Sequence, residues 1–202
     1  MSVEKMLTHD WFPQPLPANV ILGERSWCYS SFSCLHQRSQ RACAVRVGHD
    51  TGIYNGTFFD LGPHGEVEIG NYCTVVGAII STNSRVEIHD YAFLAHEVVV
   101  ADSFAATPPD AREGARSLYS YRRPSVLTVG RNTWIGARAV LLLGAQLGEG
   151  SIVGAGAVVD FAVPPFAVVA GNPAQLVGWV SESHQGPTRG QPAQLSLVTR
   201  SC

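Results

Sequence analysis

Residues 129–159 read VGRNTWIGARAVLLLGAQLGEGSIVGAGAVV, and a six-residue repeat runs through this stretch. An aliphatic residue recurs at every sixth position, with a small residue two positions before each of the last five; the aliphatic residues are Val129, Ile135, Leu141, Leu147, Val153 and Val159. Glycine follows the aliphatic residue in four of these units, where a tight turn would need backbone freedom. Each unit is therefore predicted to be a short strand followed by a corner.

The same spacing continues upstream, although less regularly. It appears in three runs: Val47, Ile53 and Phe59; Ile69 and Val75; and Ile88, Leu94 and Val100. A unit of six residues cannot bury its own aliphatic side chain, so the units must stack and share one interior. The repeat predicts an all-β solenoid of parallel strands.

The composition excludes several classes of protein. The chain has 202 residues, 46% of them hydrophobic and 15% charged, which is enough apolar material for the core of one domain. The net charge of −2 lacks the basic field that nucleic acids or anionic membranes attract, and no apolar run is long enough for a membrane span or a signal peptide. The five cysteines contain no C-x-x-C pair, which argues against a disulfide scaffold or a thiolate zinc site. We therefore expect a cytoplasmic protein with neither a nucleic-acid nor a membrane partner.

Two short stretches, TVGRNTWIG at residues 128–136 and VVAGNPA at residues 168–174, accompany the repeat. Together they resemble the signatures of the hexapeptide-repeat acyltransferases, in particular the galactoside, maltose and streptogramin O-acetyltransferase branch. The resemblance covers residues 22–180 and implies a left-handed parallel β-helix with three short strands per turn. The hand rests on the resemblance, because the usual crossover rule predicts the opposite one.

The departures from the repeat divide the chain. Residues 1–19 lack the repeat and are expected to form an N-terminal cap, while residues 20–180 form the β-helix domain. Residues 102–125 interrupt the repeat with a proline pair and several arginines, and are interpreted as an extruded active-site loop. Residues 181–202 are rich in Ser, Gln, Gly and Pro, and are expected to be a mobile tail outside the site.

Acyl transfer from a thioester to a hydroxyl or amine needs a base that works near neutral pH, and histidine is the usual choice. The resemblance implies a histidine on the extruded loop near Ala105, yet no histidine occurs from Glu97 to Ser183. His96, at a corner beside the start of the loop, is the candidate replacement. Glu97 or Asp102 could orient its ring and stabilise its cation. The alternative is that His96 is a corner residue without a catalytic role.

The other candidates are weaker. His49 is interpreted as structural and His64 as an exposed turn residue, while His89 is a second candidate for the base. A zinc site made of His64, His89 and His96 is the metal alternative, but the spacing does not match the trimeric β-helical carbonic anhydrases that resemble this fold, so no metal is expected. Cys73 occupies a small-residue position of the repeat, which favours burial over a nucleophilic role.

The resemblance also implies a donor site, with the pantetheine arm of an acyl-CoA lying in the groove between two adjacent β-helices. The implied contacts are Trp134, Gly136, Ala137, Gly154, Ala155, Gly171, Asn172, Pro173 and Ala174. Gln175 and Asp160 stand where relatives commonly carry a basic residue for the nucleotide phosphates, so an acyl-carrier protein is an alternative donor. Because the groove needs a second copy of the chain, a cyclic homotrimer is expected.

The expected function is transfer of an acetyl or other short acyl group to a hydroxyl or amine of a small-molecule acceptor: a sugar, an antibiotic or a biosynthetic intermediate. Two alternatives remain open at this point. The chain could have lost transfer activity, given the missing loop histidine, and serve as a scaffold or ligand binder. It could also carry out a different reaction on an activated small molecule in the same groove. The acceptor is not named by any motif.

Overall fold

The computed structural model describes residues 6–102 and 126–180. The interpreted loop from residue 103 onward and the expected tail at residues 181–202 lie outside the described residues. Within the described ranges the chain forms twenty β-strands and one short 3-10 helix, η1 (Ser31–Cys34). No helix in this part of the chain is long and apolar enough to cross a membrane.

The strands form three sheets. Sheet 1 contains β1 (Val20–Leu22), β3 (Val45–Val47), β6 (Glu66–Ile69), β9 (Arg85–Ile88), β12 (Val126–Val129), β15 (Gln146–Leu147) and β18 (Ala162–Val163). Sheet 2 contains β2 (Trp27–Cys28), β4 (Gly52–Ile53), β7 (Thr74–Val75), β10 (Phe93–Leu94), β13 (Trp134–Ile135), β16 (Ile152–Val153), β19 (Ala167–Ala170) and β20 (Gln175–Trp179). Sheet 3 contains β5 (Phe58–Leu61), β8 (Ile79–Thr82), β11 (Val99–Ala101), β14 (Val140–Leu142) and β17 (Val158–Val159).

The chain visits sheets 1, 2 and 3 in turn, and each circuit is called a coil below. Each strand pairs in parallel with its counterparts one coil before and one coil after, as Leu94 does with Val75 and Ile135. The exception is β20, which runs antiparallel to β19. In the first coil, η1 stands where a strand of sheet 3 would be expected. The prediction of an all-β chain with parallel sheets is confirmed.

The core lies inside the coils and is built from the repeat residues. The six aliphatic residues of the stretch 129–159 are at most 2% exposed. The small residues that alternate with them, such as Ala139 and Ala157, are also buried. Large and small side chains thus alternate along the interior, and each buried aliphatic side chain contributes about 1.5–3 kcal/mol.

The glycines of the repeat have a different role from the expected one. The left-handed backbone conformation recurs every six residues, three positions beyond the aliphatic residue, at Asn132, Arg138, Gly144, Gly150 and Gly156. Gly136 and Gly154, which directly follow the aliphatic residue, have ordinary φ. A Cβ at Gly136 would lie 2.6 Å from the amide nitrogen of Ala155 in the next coil. These glycines therefore allow close stacking of coils rather than a special backbone turn.

The outer faces of the sheets differ in polarity. On sheet 1, Arg85 donates hydrogen bonds to Glu66, Glu68 and Glu87 at 2.8, 2.7 and 2.6 Å. On sheet 3, one outward row is apolar throughout: Phe58, Ile79, Val99, Val140 and Val158. Sheet 3 is thus the face with an uninterrupted apolar row.

Candidate active site

His96 and several of the predicted donor contacts lie along one edge of the molecule, the corner between sheets 2 and 3, here called the 2–3 corner. Strand β10 pairs with β13, and β13 pairs with β16, so His96, Ala137 and Ala155 follow one another in adjacent coils. The amide of Arg138 donates to the carbonyl of His96, and the amide of Gly156 to that of Ala137, both at 2.9 Å. The structure therefore brings the candidate base into line with the candidate donor site.

The side chain of Glu97 is directed away from this role. Its carboxylate accepts a hydrogen bond from Nε of Arg138 at 2.7 Å, and both side chains are exposed. The hydrogen bond and the charge of Arg138 lower the pKa of Glu97. In the described part of the chain, no ion pair joins the His96 ring to a carboxylate. The predicted orienting role of Glu97 thus has no support in the geometry of the single chain.

Asp102 lies at the opposite end of β11 from His96 and is buried. Its Oδ2 accepts hydrogen bonds from Oγ1 of Thr82 at 2.7 Å and from the amide of Asn83 at 2.8 Å. His96 therefore does not lie beside the start of the predicted loop, because a whole strand separates them. Within one chain, Asp102 holds the turn after β8 instead of approaching the candidate base.

The predicted donor contacts fall into three groups. Ala137 and Ala155 are small side chains at the 2–3 corner, and beside them a Cβ added at Gly156 would meet no atom within 4 Å. Trp134 is exposed on sheet 2, with its ring 5.9 Å from that of Phe93. Small side chains at the 2–3 corner thus lie beside an exposed aromatic ring. A narrow chain such as a pantetheine arm would fit along this part of the corner.

Gly136 and Gly154 form the second group, since their missing side chains are needed by the next coil. A Cβ at Gly154 would lie 2.9 Å from the Cβ of Ala170, which is also too close, although less so than the contact at Gly136. The close stacking of the coils therefore explains why glycine occupies both positions, and no ligand is needed to explain it.

Residues 171–174 form the turn between β19 and β20, at the end of the 2–3 corner. The carbonyl of Gly171 accepts a hydrogen bond of 3.0 Å from the amide of Val158, and the amide of Ala174 donates one of 2.9 Å to the carbonyl of Val158. Ala174 is buried, whereas Gly171, Asn172 and Pro173 are exposed. The exposed part of this turn is available to a ligand that lies along the corner.

The histidine with a hydrogen-bonded carboxylate is His49, which the sequence analysis treated as structural. Its Nδ1 lies 2.7 Å from Oδ2 of Asp50. The same carboxylate accepts hydrogen bonds from Arg25, at Oδ1 from Nε at 2.7 Å and at Oδ2 from Nη2 at 2.6 Å. Arg25 and His49 lower the pKa of Asp50 to about 2. This network lies between sheets 1 and 2, away from the 2–3 corner. The adjacency of His49 and Asp50 in the sequence was the only signal for it.

The remaining predictions concern nucleophiles and metals. Cys73 is buried, and burial is the main cause that raises the pKa of its thiol, so it does not have the character of a nucleophile. Among residues 6–102 and 126–180, no group of three His, Cys, Asp or Glu side chains is placed to hold a metal ion.

Comparison with known proteins identifies a matching family and several relatives with similar sequences. Residues 126–160 match a family described as the hexapeptide repeat of succinyl-transferase. Galactoside O-acetyltransferase of Escherichia coli K12 is 26% identical over 137 residues, which cover 67% of this chain and 64% of that protein. A candidate acetyltransferase of Staphylococcus aureus strain Mu50 is 40% identical over 57 residues, 28% of this chain and 29% of that protein.

Two solved structures are similar in fold. An N-acyltransferase from Bacillus cereus, solved with dTDP and coenzyme A, has a TM-score of 0.60 at 17% identity and covers 80% of this chain and 84% of its own. Galactoside acetyltransferase in complex with coenzyme A has a TM-score of 0.56 at 23% identity, with 74% and 72% covered. At sequence identities of 17% and 23%, the similarity to these structures shows a shared fold. The chain spans less than a third of the S. aureus relative and 64% of the E. coli one.

Proposed function

We propose that this relative of the hexapeptide-repeat acyltransferases moves a short acyl group, such as acetyl, from coenzyme A to a hydroxyl or amine of a small acceptor. The observation that carries the proposal is the alignment of His96 with Ala137 and Ala155 along the 2–3 corner. A base and a slot for a thioester arm are the two elements that this reaction needs. One edge of the molecule offers candidates for both.

The donor lies along the 2–3 corner, with its arm over the small residues Ala137, Ala155 and Gly156. Trp134 flanks the arm on the sheet 2 side, and the exposed Gly171, Asn172 and Pro173 meet its far end. Bound acyl-CoA supplies the activated thioester carbon. The open space above Gly156 supports this placement, since a larger side chain at the corner would fill the slot. An acyl-carrier protein could present the same arm without the nucleotide.

His96 acts as the general base and then as the general acid. Its imidazole takes the proton from the acceptor as the acceptor oxygen or nitrogen bonds to the acyl carbon. It returns that proton to the sulfur as the carbon–sulfur bond breaks, which releases the ester or amide and the free thiol. Because His96 is exposed at the corner, acceptor and donor can both reach it. Asp102 has no direct part in this scheme within one chain.

The molecule is a left-handed coil and works as a cyclic homotrimer in this proposal. The fold likeness to the acyltransferases supports the hand. The apolar outer row of sheet 3 supports the association, since a second copy would bury Ile79 and its neighbours, whereas sheet 1 carries charges. The neighbouring copy supplies the second wall of the donor slot.

Calorimetric titration with acetyl-CoA tests the donor site, and release of coenzyme A followed by mass spectrometry tests the reaction. We expect saturable binding by the native chain. An Ala155→Trp variant should lose binding because the indole fills the corner, while Ala162→Trp, at a position on sheet 1 that is also exposed, should retain it. Absence of binding to both acetyl-CoA and an acylated carrier protein would overturn the proposal. Binding without turnover, across a panel of acceptors, would favour a ligand binder that has lost transfer activity.

A sedimentation measurement tests the assembly. A trimer is expected, and a monomer at micromolar concentration would leave the proposed slot without its second wall.

A further inference from the structure

A cavity of about 170 Å³, open to solvent on one side, lies near the N-terminal end of the molecule, between the N-terminal segment, η1 and the corner that follows β4. Four aromatic residues contribute to its wall: Trp11, Tyr29, Phe32 and Tyr54. None of the residues that line it carries a charge. The cavity therefore favours a neutral ligand with an apolar face.

The walls of the cavity are held in place by a hydrogen-bond cluster. Asp10 accepts from Oγ of Ser30 at 2.7 Å and from both the amide and Oγ of Ser31 at 2.6 Å. This cluster fastens the N-terminal segment to η1, and the ring of Trp11 lies 5.5 Å from that of Phe32. The cavity is thus formed where two segments outside the regular repeat meet the corner that follows β4.

Three hydroxyl groups of the wall, those of Ser30, Ser33 and Thr57, already have hydrogen-bond partners. The hydroxyl of Ser30 donates to Asp10, and that of Thr57 lies 3.3 Å from the carbonyl of Val75, to which it donates. The side-chain amide of Asn55 has no hydrogen-bond partner within residues 6–102 and 126–180, and Asn55 is exposed at the corner. A ligand would therefore meet aromatic surface on several sides, together with the Asn55 amide and the hydroxyls of Tyr29 and Tyr54, which have no hydrogen-bond partner among the described residues.

The cavity and His96 share the 2–3 corner. Ile53 pairs with Val75, and Val75 pairs with Leu94, so the corner residue Asn55 lies two coils from His96. Two strand spacings correspond to roughly 10 Å. The donor residues Ala137 and Ala155 lie on the other side of His96. His96 is thus placed between the cavity and the proposed donor slot.

The corner of the third coil, which lies between the cavity and His96, has one residue fewer than the corresponding corners of the coils on either side. Ile53 and Phe58 are five residues apart, as are Leu94 and Val99, whereas Val75 and Ile79 are four apart. The third coil turns at Gly77, whose carbonyl accepts a hydrogen bond of 3.2 Å from the amide of Glu97. The backbone of Gly77 passes between the two neighbouring coils, since a Cβ there would lie 3.3 Å from the carbonyl oxygen of Asn55 and 3.8 Å from the amide nitrogen of Glu97. Gly77 has no side chain, and this gap in the outward side chains between Asn55 and His96 is called the notch.

We propose that the cavity is the binding site for the ring of the acyl acceptor, and that the acceptor is a neutral aryl alcohol with one ring. The ring lies among Trp11, Phe32 and Tyr54, and its hydroxyl reaches His96 through the notch on a chain of a few atoms. A cavity of this size holds one ring, since roughly 150 Å³ suffices for benzene. An alcohol fits better than an amine because the wall offers no carboxylate for an ammonium group. The assignment rests on the proposed acyl transfer.

The test measures binding of 3-phenylpropan-1-ol by saturation-transfer NMR and calorimetry, without any acyl donor. We expect saturable binding, and weaker binding of 3-(2-naphthyl)propan-1-ol and of 3-phenylpropylamine. Both Trp11→Ala and Tyr54→Ala should weaken the affinity for the phenyl alcohol by about tenfold. Trp179→Ala, which removes an exposed indole far along the coil, should leave it unchanged. Circular dichroism checks that the variants fold.

The outcomes separate this assignment from the proposed function. No binding of the phenyl alcohol, or binding unaffected by both cavity variants, would overturn the assignment. If the native chain also transfers acyl groups to other acceptors, the proposed function survives that result. Cavity-dependent binding together with an unchanged KM for the alcohol in Trp11→Ala would likewise overturn the assignment. A raised KM for the alcohol with an unchanged KM for acyl-CoA supports it.

Discussion

The carbonyl oxygen of His96 accepts a hydrogen bond of 2.9 Å from the backbone amide of Arg138. This bond belongs to the backbone and places His96 one coil from Ala137, at the same corner of the molecule. The imidazole itself is not part of the bond and is exposed. Substitution at this position can therefore test the chemistry of the side chain without removing the contact that positions it.

His96→Ala should lower kcat by about 10²- to 10⁴-fold, the usual cost of losing a general base. Acceptor-dependent release of coenzyme A, measured under saturating donor, gives the rate. His64→Ala provides the control, because that histidine is also exposed but lies at the turn after β5. If His96→Ala kept the native kcat, His96 would not be the general base, and His49 would be the next candidate to test.

Gly136→Ala should destabilise the fold, because its Cβ would lie 2.6 Å from the amide nitrogen of Ala155. The coils would have to separate locally, at a cost of about 1–3 kcal/mol in the free energy of unfolding. Gly178→Ala is a matched control, since nothing lies within 4 Å of a Cβ there. Urea denaturation measures both. Equal stability of the two variants would contradict the stacking role of Gly136.

Asp102→Ala should also destabilise the protein, because it leaves Oγ1 of Thr82 and the amide of Asn83 without this acceptor. The expected loss is about 1–3 kcal/mol in the free energy of unfolding. Asp102→Asn keeps an acceptor oxygen and should recover part of the loss, and Asp160→Ala at an exposed position should cost little. If Asp102→Ala lowered kcat at unchanged stability, its catalytic role would return, supplied across a subunit contact.

Asp10 should make attachment of the N-terminal segment depend on pH. Burial alone would raise the pKa of this carboxyl, but hydrogen bonds from Ser31, Phe12 and Ser30 outweigh burial and hold it well below its ordinary value. The stabilisation is therefore complete above the ordinary aspartate pKa of about 4 and is lost as the pH falls toward the lowered pKa.

The indole NMR signal of Trp11, identified by its loss in Trp11→Phe, reports that attachment. As the pH falls below about 4 it should lose the shift caused by the ring of Phe32, which lies 5.5 Å from the Trp11 ring. In Asp10→Asn the signal should be independent of pH over the same range. A pH-independent signal in the native chain would contradict the clamping role of Asp10.

Much of the fold was predictable because the repeat is local and strict. A buried aliphatic residue at every sixth position, with a small one two before it, allows one solution: strands that stack on their own copies. The resemblance to the hexapeptide-repeat acyltransferases is confirmed by the match at residues 126–160 and by galactoside O-acetyltransferase as a relative. The family resemblance implied the donor residues of the 2–3 corner, whereas the repeat pattern assigned Gly136 to a turn although the next coil requires it.

The site was less predictable because its residues belong to different coils and approach one another only through the stacking of those coils. His96 and Asp102 are six residues apart, yet β11 places them at opposite ends of a strand. His96 and Ala155 are far apart in sequence, yet they lie at the same corner, two coils apart. In this fold, a short separation in sequence does not mean that two side chains are close in space. Strand pairing instead connects residues about one full circuit of the coil apart.

The amino-acid sequence alone determined the parallel strands, the interior of the coils and the relationship to acyltransferases, since each depends on a local pattern repeated many times. Tertiary structure decided which side chains meet. It directed Glu97 to Arg138, buried Asp102 beside Thr82, and opened a notch at Gly77 between the aromatic cavity and His96. Those contacts depend on where each corner falls along the axis, and a single missing residue in one coil changes that position without altering the repeat.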